Sequence, residues 1–226
     1  MKRGERDPVI TIDGPAGAGK TTVARELARR LGYRLVDTGA MYRALAWSVR
    51  QQGLAAEDTP ELRRHLDAVA IELRGDRVFA DGHEVTDEIR SRDISDLTSR
   101  LSMLGPVREK IVPVQRRMAA AGGVILEGRD TGTVVWPDAE VKFYLDATLE
   151  ERARRRHAEL RARGVEVDFA VVHDEIGARD RQDTTRALAP LTPAADAVYV
   201  STTALTVEQV VDRMAREIEQ RCCTRS

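Results

Sequence analysis

Val9-Ile10-Thr11-Ile12-Asp13-Gly14-Pro15-Ala16-Gly17-Ala18-Gly19-Lys20-Thr21-Thr22 decides how this chain is read. Val9 to Ile12 is a β-branched apolar run, the pattern of a buried strand. Gly14 to Thr21 spells Gly-x-x-x-x-Gly-Lys-Thr. Beyond it, Val23, Leu27, Ala28 and Leu31 recur at helical spacing, and Gly32 stands where a helix C′ glycine belongs. Strand, glycine loop and helix are the context of a phosphate-binding loop. Glycines let consecutive backbone N–H groups turn inward around a phosphate, and the helix start adds partial positive charge there. A glycine-rich turn with a solvated lysine is the bland alternative, and the flanking strand and helix weigh against it. On the functional reading, Gly14, Pro15, Ala16, Gly17, Ala18, Gly19, Lys20, Thr21 and Thr22 hold the phosphates of a ligand. Lys20 reaches the β- and γ-phosphates, and the Thr21 hydroxyl holds Mg²⁺.

The 226 residues are enough for one substantial core, or one core with a small insert. A net charge of −1 gives no bulk signal for nucleic acid or a membrane surface. Lys2, Lys20, Lys110 and Lys142 are the only lysines, so arginine carries the positive charge. That general bias dilutes any inference from a single arginine. Cys222 and Cys223 are adjacent and make no disulfide framework or zinc spacing. His65, His83, His157 and His173 form no metal pattern. No apolar run reaches about 18 residues, and Met1 to Pro8 carries no apolar signal region. The expectation is a cytoplasmic monomer with no nucleic-acid or membrane partner.

Further short apolar runs, Leu35-Val36, Val124 to Leu126, Val141 to Leu145 and Ala197 to Val200, alternate with helical patterns. Five such strands argue for a parallel sheet with helices on both faces, and a ligand site beyond the strands' carboxyl ends. Gly75-Asp76 and Asp81-Gly82 punctuate Val69 to Val85, which predicts a small antiparallel insert with two tight turns. Thr148-Leu149-Glu150-Glu151 and Thr206-Val207-Glu208-Gln209 read as capping boxes opening helices. The chain is expected to be one domain over residues 1–226, with the insert at about 64–92.

Three motifs follow strands: Gly14 to Thr21, Asp37 to Arg43, and Glu127 to Asp130. Tyr42 and Arg43 suggest a second anionic ligand. Arg129 and Asp130 leave the third strand toward the same side; a helix cap or a pair with Arg129 is the blander and less favoured reading of Asp130. Arg179, Asp180, Arg181, Asp183 and Arg186 fit either a solvated helix face or a mobile lid over phosphates. The segment at about 155–187 has few large apolar residues, so little core is expected to anchor it.

Taken together, these pieces resemble the bacterial cytidylate kinases, of the nucleoside monophosphate kinase group. The resemblance rests on Ile10 to Lys20, Asp37-Thr38-Gly39-Ala40-Met41-Tyr42-Arg43, Glu127 to Val135 with Pro137-Asp138-Ala139, and Arg179-Asp180, Asp183-Thr184-Thr185-Arg186 and Pro190-Leu191. It runs in the family's order over nearly the whole chain. It implies a P-loop kinase fold with the antiparallel insert and a helical lid at about 155–187. It implies transfer of the ATP γ-phosphate to CMP or dCMP, with Mg²⁺. The alternative is a P-loop kinase for another nucleoside monophosphate or a small metabolite. A GTPase-like switch would need an Asn-Lys-x-Asp motif, and the chain has no asparagine. The resemblance assigns Lys20, Arg129 and Arg186 to catalysis. It places Thr38, Tyr42, Arg43, Ser99, Arg108, Arg129, Asp130, Arg179, Asp183 and Arg186 around the acceptor. Glu127 stands where some members have Asp, and its role is left unassigned.

Overall fold

A computed structural model describes residues 6–223, with side chains to Cys222. The first residues of the polar N-terminal stretch and the Cys223 side chain lie outside that description. Two compact units are formed: Met1–Leu35 with Gly122–Ser226, and Val36–Ala121.

The expected parallel sheet is present. β1 (Val9–Asp13), β2 (Arg34–Asp37), β6 (Val124–Glu127), β7 (Val141–Asp146) and β8 (Val198–Ser201) lie in the order β2-β6-β1-β7-β8. Ile10 pairs with Ile125 on one side and Val141 on the other, in parallel register. All five β1 residues are buried, as expected of a strand covered on both faces. Helix α1 (Lys20–Leu31) buries Val23, Leu27 and Ala28 against this sheet, sharing a core with Phe143, Leu145 and Val200. Val210, Val211, Met214 and Ile218 of α8 (Val207–Cys223) fill the same core, and half-buried Cys222 packs beside it. Gly32 ends α1 at φ 70°, with its N–H donating to the Ala28 carbonyl. At α8 the capping box closes in both directions: Gln209 N–H donates to Thr206 Oγ1, and Thr206 N–H to Gln209 Oε1. The Thr148 box is half made, because Glu151 turns its carboxylate to Arg154 and Arg155 instead.

α6 (Leu149–Ala162) and α7 (Phe169–Thr185) correct one expectation. The pair has a small core of its own, Ala153, Val172 and Ile176 under Leu149, Leu160, Val167 and Phe169. Apolar packing as well as charge therefore holds these helices.

In the Val36–Ala121 unit, α2 (Thr38–Gln51) starts under Asp37, whose Oδ1 accepts from Ala40 N–H. α3 (Pro60–Ala68) has proline in its first turn and Thr59 as cap. β3 (Ile71–Arg74), β4 (Arg77–Ala80) and β5 (His83–Glu84) form the antiparallel insert. Its second turn holds Asp81 and Gly82 both at positive φ, the hairpin geometry that Asp-Gly favours. α4 (Arg92–Leu101) and α5 (Gly105–Ala119) complete the unit.

Candidate active site

The phosphate loop has the backbone its glycines imply. Gly14 sits at φ 147°, where a Cβ would fall 1.9 Å from the Leu145 carbonyl oxygen. Gly17 sits at φ 78°, with the Arg152 Cβ 3.0 Å from where its own would be. Only a residue without a Cβ lets the loop approach β7 and α6 this closely. Gly19, also left-handed, leads into α1 with no side-chain cap, so backbone donors there are left for a ligand.

Lys20 is the first residue of α1, and its ammonium is buried. Nζ donates to the Pro15 carbonyl at 2.8 Å and lies 3.8 Å from Glu127 Oε1. Burial, and then the charge of Arg129, bring the Lys20 pKa from 10.5 down to about 7, against the opposing pull of Glu127, Asp13 and Asp183. Thr21 Oγ1 donates to Glu127 Oε2 at 3.1 Å. Glu127, unassigned in the sequence, is thus a buried carboxylate at the end of β6 facing both phosphate-loop functional side chains.

The adjoining cations are each held by a carboxylate. Arg129 Nε donates to Asp183 Oδ2 at 3.1 Å, and its Nη1 to the Gly128 carbonyl. Burial works against the Arg129 charge, but Asp183 and Glu127 outweigh it and push the pKa up. Arg186 Nη2 stands 3.7 Å from Asp130 Oδ1, and its Nη1 3.9 Å from Asp183 Oδ1. Its Nε donates to the Ala189 carbonyl at 2.6 Å. Ala189 is at φ 50°, a left-handed backbone rare for alanine, and that turn aims its carbonyl at Arg186. The Asp130 side chain makes no cap bond to the π-helical turn Thr131–Val135 that follows it. Arg179 lies half-buried on α7, one turn before Asp183.

The charged stretch 179–186 therefore divides. Asp180 and Asp183 are engaged by Arg152 and Arg129, whereas Arg181 is exposed. Arg152 was not singled out by the sequence, and Asp180 was read only as part of the charged stretch. Arg152 is 6 % exposed and donates to the carbonyls of Ala147 and Ala16 while pairing with Asp180 at 2.6 Å. Burial raises the Asp180 pKa against this pairing. On sequence, Arg152 is one of many arginines on a charged helix. Thr202 is a second addition: its hydroxyl donates to the Ala18 carbonyl, and Arg155 donates to the Thr202 hydroxyl and carbonyl.

Thr38, Tyr42, Arg43, Ser99 and Arg108 belong to the Val36–Ala121 unit. Thr38 and Tyr42 are buried in the first turns of α2. Arg43 Nη2 donates to Asp37 Oδ2 at 2.9 Å, and a Cβ at Gly39 would come within 3.0 Å of the Arg43 guanidinium. Ser99 is half-buried on α4, and Arg108 is buried on α5.

Among the described residues no three His, Cys, Asp or Glu side chains cluster as a metal cage, and no helix is long and apolar enough to cross a membrane. One hydroxyl beside one carboxylate, Thr21 and Glu127, nevertheless fits Mg²⁺. That ion keeps several waters and takes other ligands from substrate phosphates.

Comparison with known proteins agrees with this geometry. The family described as cytidylate kinase matches residues 10–220. The curated cytidylate kinase of Pelotomaculum thermopropionicum is 50 % identical over 216 residues, covering 93 % of this chain and 96 % of that one. That of Geobacter sp. strain M21 is 48 % identical over 221 residues, covering 96 % and 95 %. A solved structure of an uncharacterized protein from Eubacterium ventriosum shares the fold, with a TM-score of 0.52 at 14 % identity over 95 % of this chain and 99 % of that one.

Proposed function

The chain belongs to the cytidylate kinase family, and from that premise we propose that it moves the γ-phosphate of ATP to CMP or dCMP. One observation carries the reading. A phosphate loop bearing Lys20 and Thr21 adjoins a linked set of charges, the buried Glu127, Asp130 and Asp183 with the half-buried Arg129 and Arg186.

The acceptor is an ionised phosphate oxygen, so no general base is needed. That oxygen bonds to Pγ, the bond from Pγ to the β–γ bridging oxygen breaks, and ADP leaves with the electron pair. The obstacle is repulsion. Two unit negative charges about 5 Å apart repel by roughly 3 kcal/mol at an effective dielectric of 20. Lys20 is placed to act on the β- and γ-phosphates. Arg129 and Arg186, held by Asp183 and the Ala189 carbonyl, would stabilise the charge of the transferring group in this reading. Mg²⁺, held by Thr21 with Glu127 behind it, would neutralise charge on the β- and γ-oxygens when bound.

Asp130 is the residue proposed to read the base. A carboxylate accepts from the exocyclic amine of cytosine, where uracil presents another acceptor. Asp130 is buried beside Arg186, so a mismatched uracil oxygen would meet a desolvated negative charge. A coupled assay with ATP-Mg²⁺ and CMP, dCMP, UMP and AMP side by side tests the function. CMP and dCMP are expected to lead, and equal rates on AMP would refute it. Asp130→Ala is expected to lower the CMP-to-UMP ratio of kcat/KM by on the order of 10².

A further inference from the structure

Asp13 ends β1 immediately before Gly14, and it is 4 % exposed. A buried carboxylate at a strand end needs partners, and its three lie 118 and 119 residues along the chain. Oδ1 accepts from the Thr131 N–H and the Thr131 hydroxyl, both at 2.8 Å. Oδ2 accepts from the Gly132 N–H at 2.7 Å. These are the first two residues of the π-helical turn Thr131–Val135. Their N–H groups have no earlier turn to donate to, so one carboxylate serves as the cap of that turn. π-turns are rare and costly, and they persist where the surroundings fix them.

The space around Gly132 is closed. A Cβ there would meet Thr11 Oγ1 at 2.8 Å, Lys142 Cδ at 3.3 Å and Asp13 Oδ2 at 3.4 Å. Thr131 is fully buried and its hydroxyl also reaches toward the Leu126 carbonyl of β6. The turn therefore has one seat. Asp130, the residue before it, has an irregular backbone at φ −144°, ψ 24°; its side chain makes no cap bond, and its carbonyl accepts from the Val134 and Val135 N–H groups of the turn. Its backbone is thus tied to the turn that Asp13 holds at Thr131 and Gly132.

We propose that Asp13 is a positioning residue for acceptor recognition: by clasping the start of the π-turn it fixes Arg129 and Asp130 against the phosphate loop that begins one residue later. Donor loop and acceptor-reading residues then share one rigid joint within the core unit. The proposal rests on the reading of Asp130 given above. Asp13 touches no substrate in it.

The test uses the full chain with ATP-Mg²⁺, measuring kcat and KM for CMP, UMP and ATP, with thermal denaturation alongside. Asp13→Asn keeps the shape but turns an acceptor into a donor facing an N–H. It is expected to raise the KM for CMP about tenfold or more, because an ångström of misplacement is costly, while the KM for ATP changes less. Thr131→Val removes only the hydroxyl bond and is expected to act in the same direction by about threefold to fivefold; Thr131→Ser restores that bond and should behave as wild type. Asp13→Asn with Thr131→Val should have less than the product of the single effects, since both break one clasp. Unchanged acceptor KM and CMP-to-UMP ratio in folded variants would overturn the proposal, as would multiplicative effects. If Asp13→Asn does not fold, the Thr131→Val and Thr131→Ser pair decides alone. A wild-type enzyme without cytosine preference would instead sink the reading of Asp130. The clasp would then be judged on the KM of whichever acceptor the enzyme prefers.

Discussion

Lys20→Met separates phosphate chemistry from folding. The Lys20 ammonium donates to the Pro15 carbonyl and has one carboxylate 3.8 Å away. At an effective dielectric of 20 that ion pair is worth about 4 kcal/mol before desolvation, and the depressed pKa says that burial cancels much of it. Methionine fills similar space without the charge. Glu127 keeps the Thr21 hydroxyl and the field of Arg129, so it is not abandoned. The stability change should be within about 2 kcal/mol in either direction. Catalysis has no such compensation. A cation near 3 Å from a developing negative charge gives roughly 5 kcal/mol at the same dielectric, and deletion of one preorganised donor elsewhere costs about 3–4 kcal/mol. The kcat/KM for CMP phosphorylation should fall by on the order of 10³ with circular dichroism and melting temperature nearly preserved. Turnover within about tenfold of wild type in the folded variant would refute the placement of Lys20 on the phosphates.

Binding a non-hydrolysable ATP analogue at pH 7.5 should take up a large fraction of a proton, because burial lowers the Lys20 pKa to about 7 and phosphate would raise it again. Calorimetry in two buffers of different ionisation enthalpy reads this, and no uptake would contradict the burial argument. The same shift has a stability consequence. The unfolded chain protonates Lys20 below 10.5 and the folded chain only below about 7, so this residue makes ligand-free stability rise with pH between those values. Gly17→Ala, at φ 78° and 3.0 Å from the Arg152 Cβ, should raise the KM for ATP roughly tenfold while leaving β-sheet content unchanged; an unaltered KM would mean the loop tolerates a side chain. Residues 155–187, proposed to be a lid, should gain hydrogen-exchange protection when CMP and an ATP analogue are both bound, above a baseline already set by the Ala153, Val172 and Ile176 core. Equal protection with and without ligands would rule out closure.

What the sequence disclosed was local, and what it withheld was long-range. The strand, loop and helix from Val9 to Leu31 were readable because each signal lies within a few residues of the next. The antiparallel insert was readable because Asp81-Gly82 specifies its own turn. The Thr206 capping box was readable for the same reason, whereas the Thr148 box was completed on one side only, since nearby arginines compete for Glu151. The role of Glu127 became clear only when β6 was set beside β1, which brings its carboxylate to Lys20 and Thr21. The clasp of Asp13 spans over a hundred residues, and no spacing rule connects Asp13 to Thr131. The π-turn has no sequence signature at all. The small core between α6 and α7 was missed because it is built from scattered aliphatic residues amid charge, at a density too low to show as a helical stripe.

The pairing of cations with carboxylates explains how this site can exist before substrate arrives. Lys20 faces Glu127, Arg129 faces Asp183, Arg186 faces Asp130 and Asp183, and Arg152 faces Asp180. Several buried positive charges without partners would repel one another and carry a desolvation cost of several kcal/mol each. The carboxylates remove that cost and fix the guanidinium planes. They also weaken the attraction for phosphate, since each cation's field is partly cancelled. Distance decides how much. The Arg152–Asp180 contact at 2.6 Å is a full charge-assisted bond, and Arg152 spends its other donors on the Ala16 and Ala147 carbonyls, so it holds the loop. The Lys20–Glu127 and Arg186–Asp130 contacts, at 3.8 and 3.7 Å, are longer than hydrogen bonds. Neither contact is a formed hydrogen bond, so a phosphate oxygen approaching Lys20 or Arg186 need not displace a carboxylate oxygen from one. The short Arg152–Asp180 pair therefore holds the loop, whereas the longer Lys20–Glu127 and Arg186–Asp130 pairs balance charge without a formed hydrogen bond, which suits the proposed roles of Lys20 and Arg186 on phosphate.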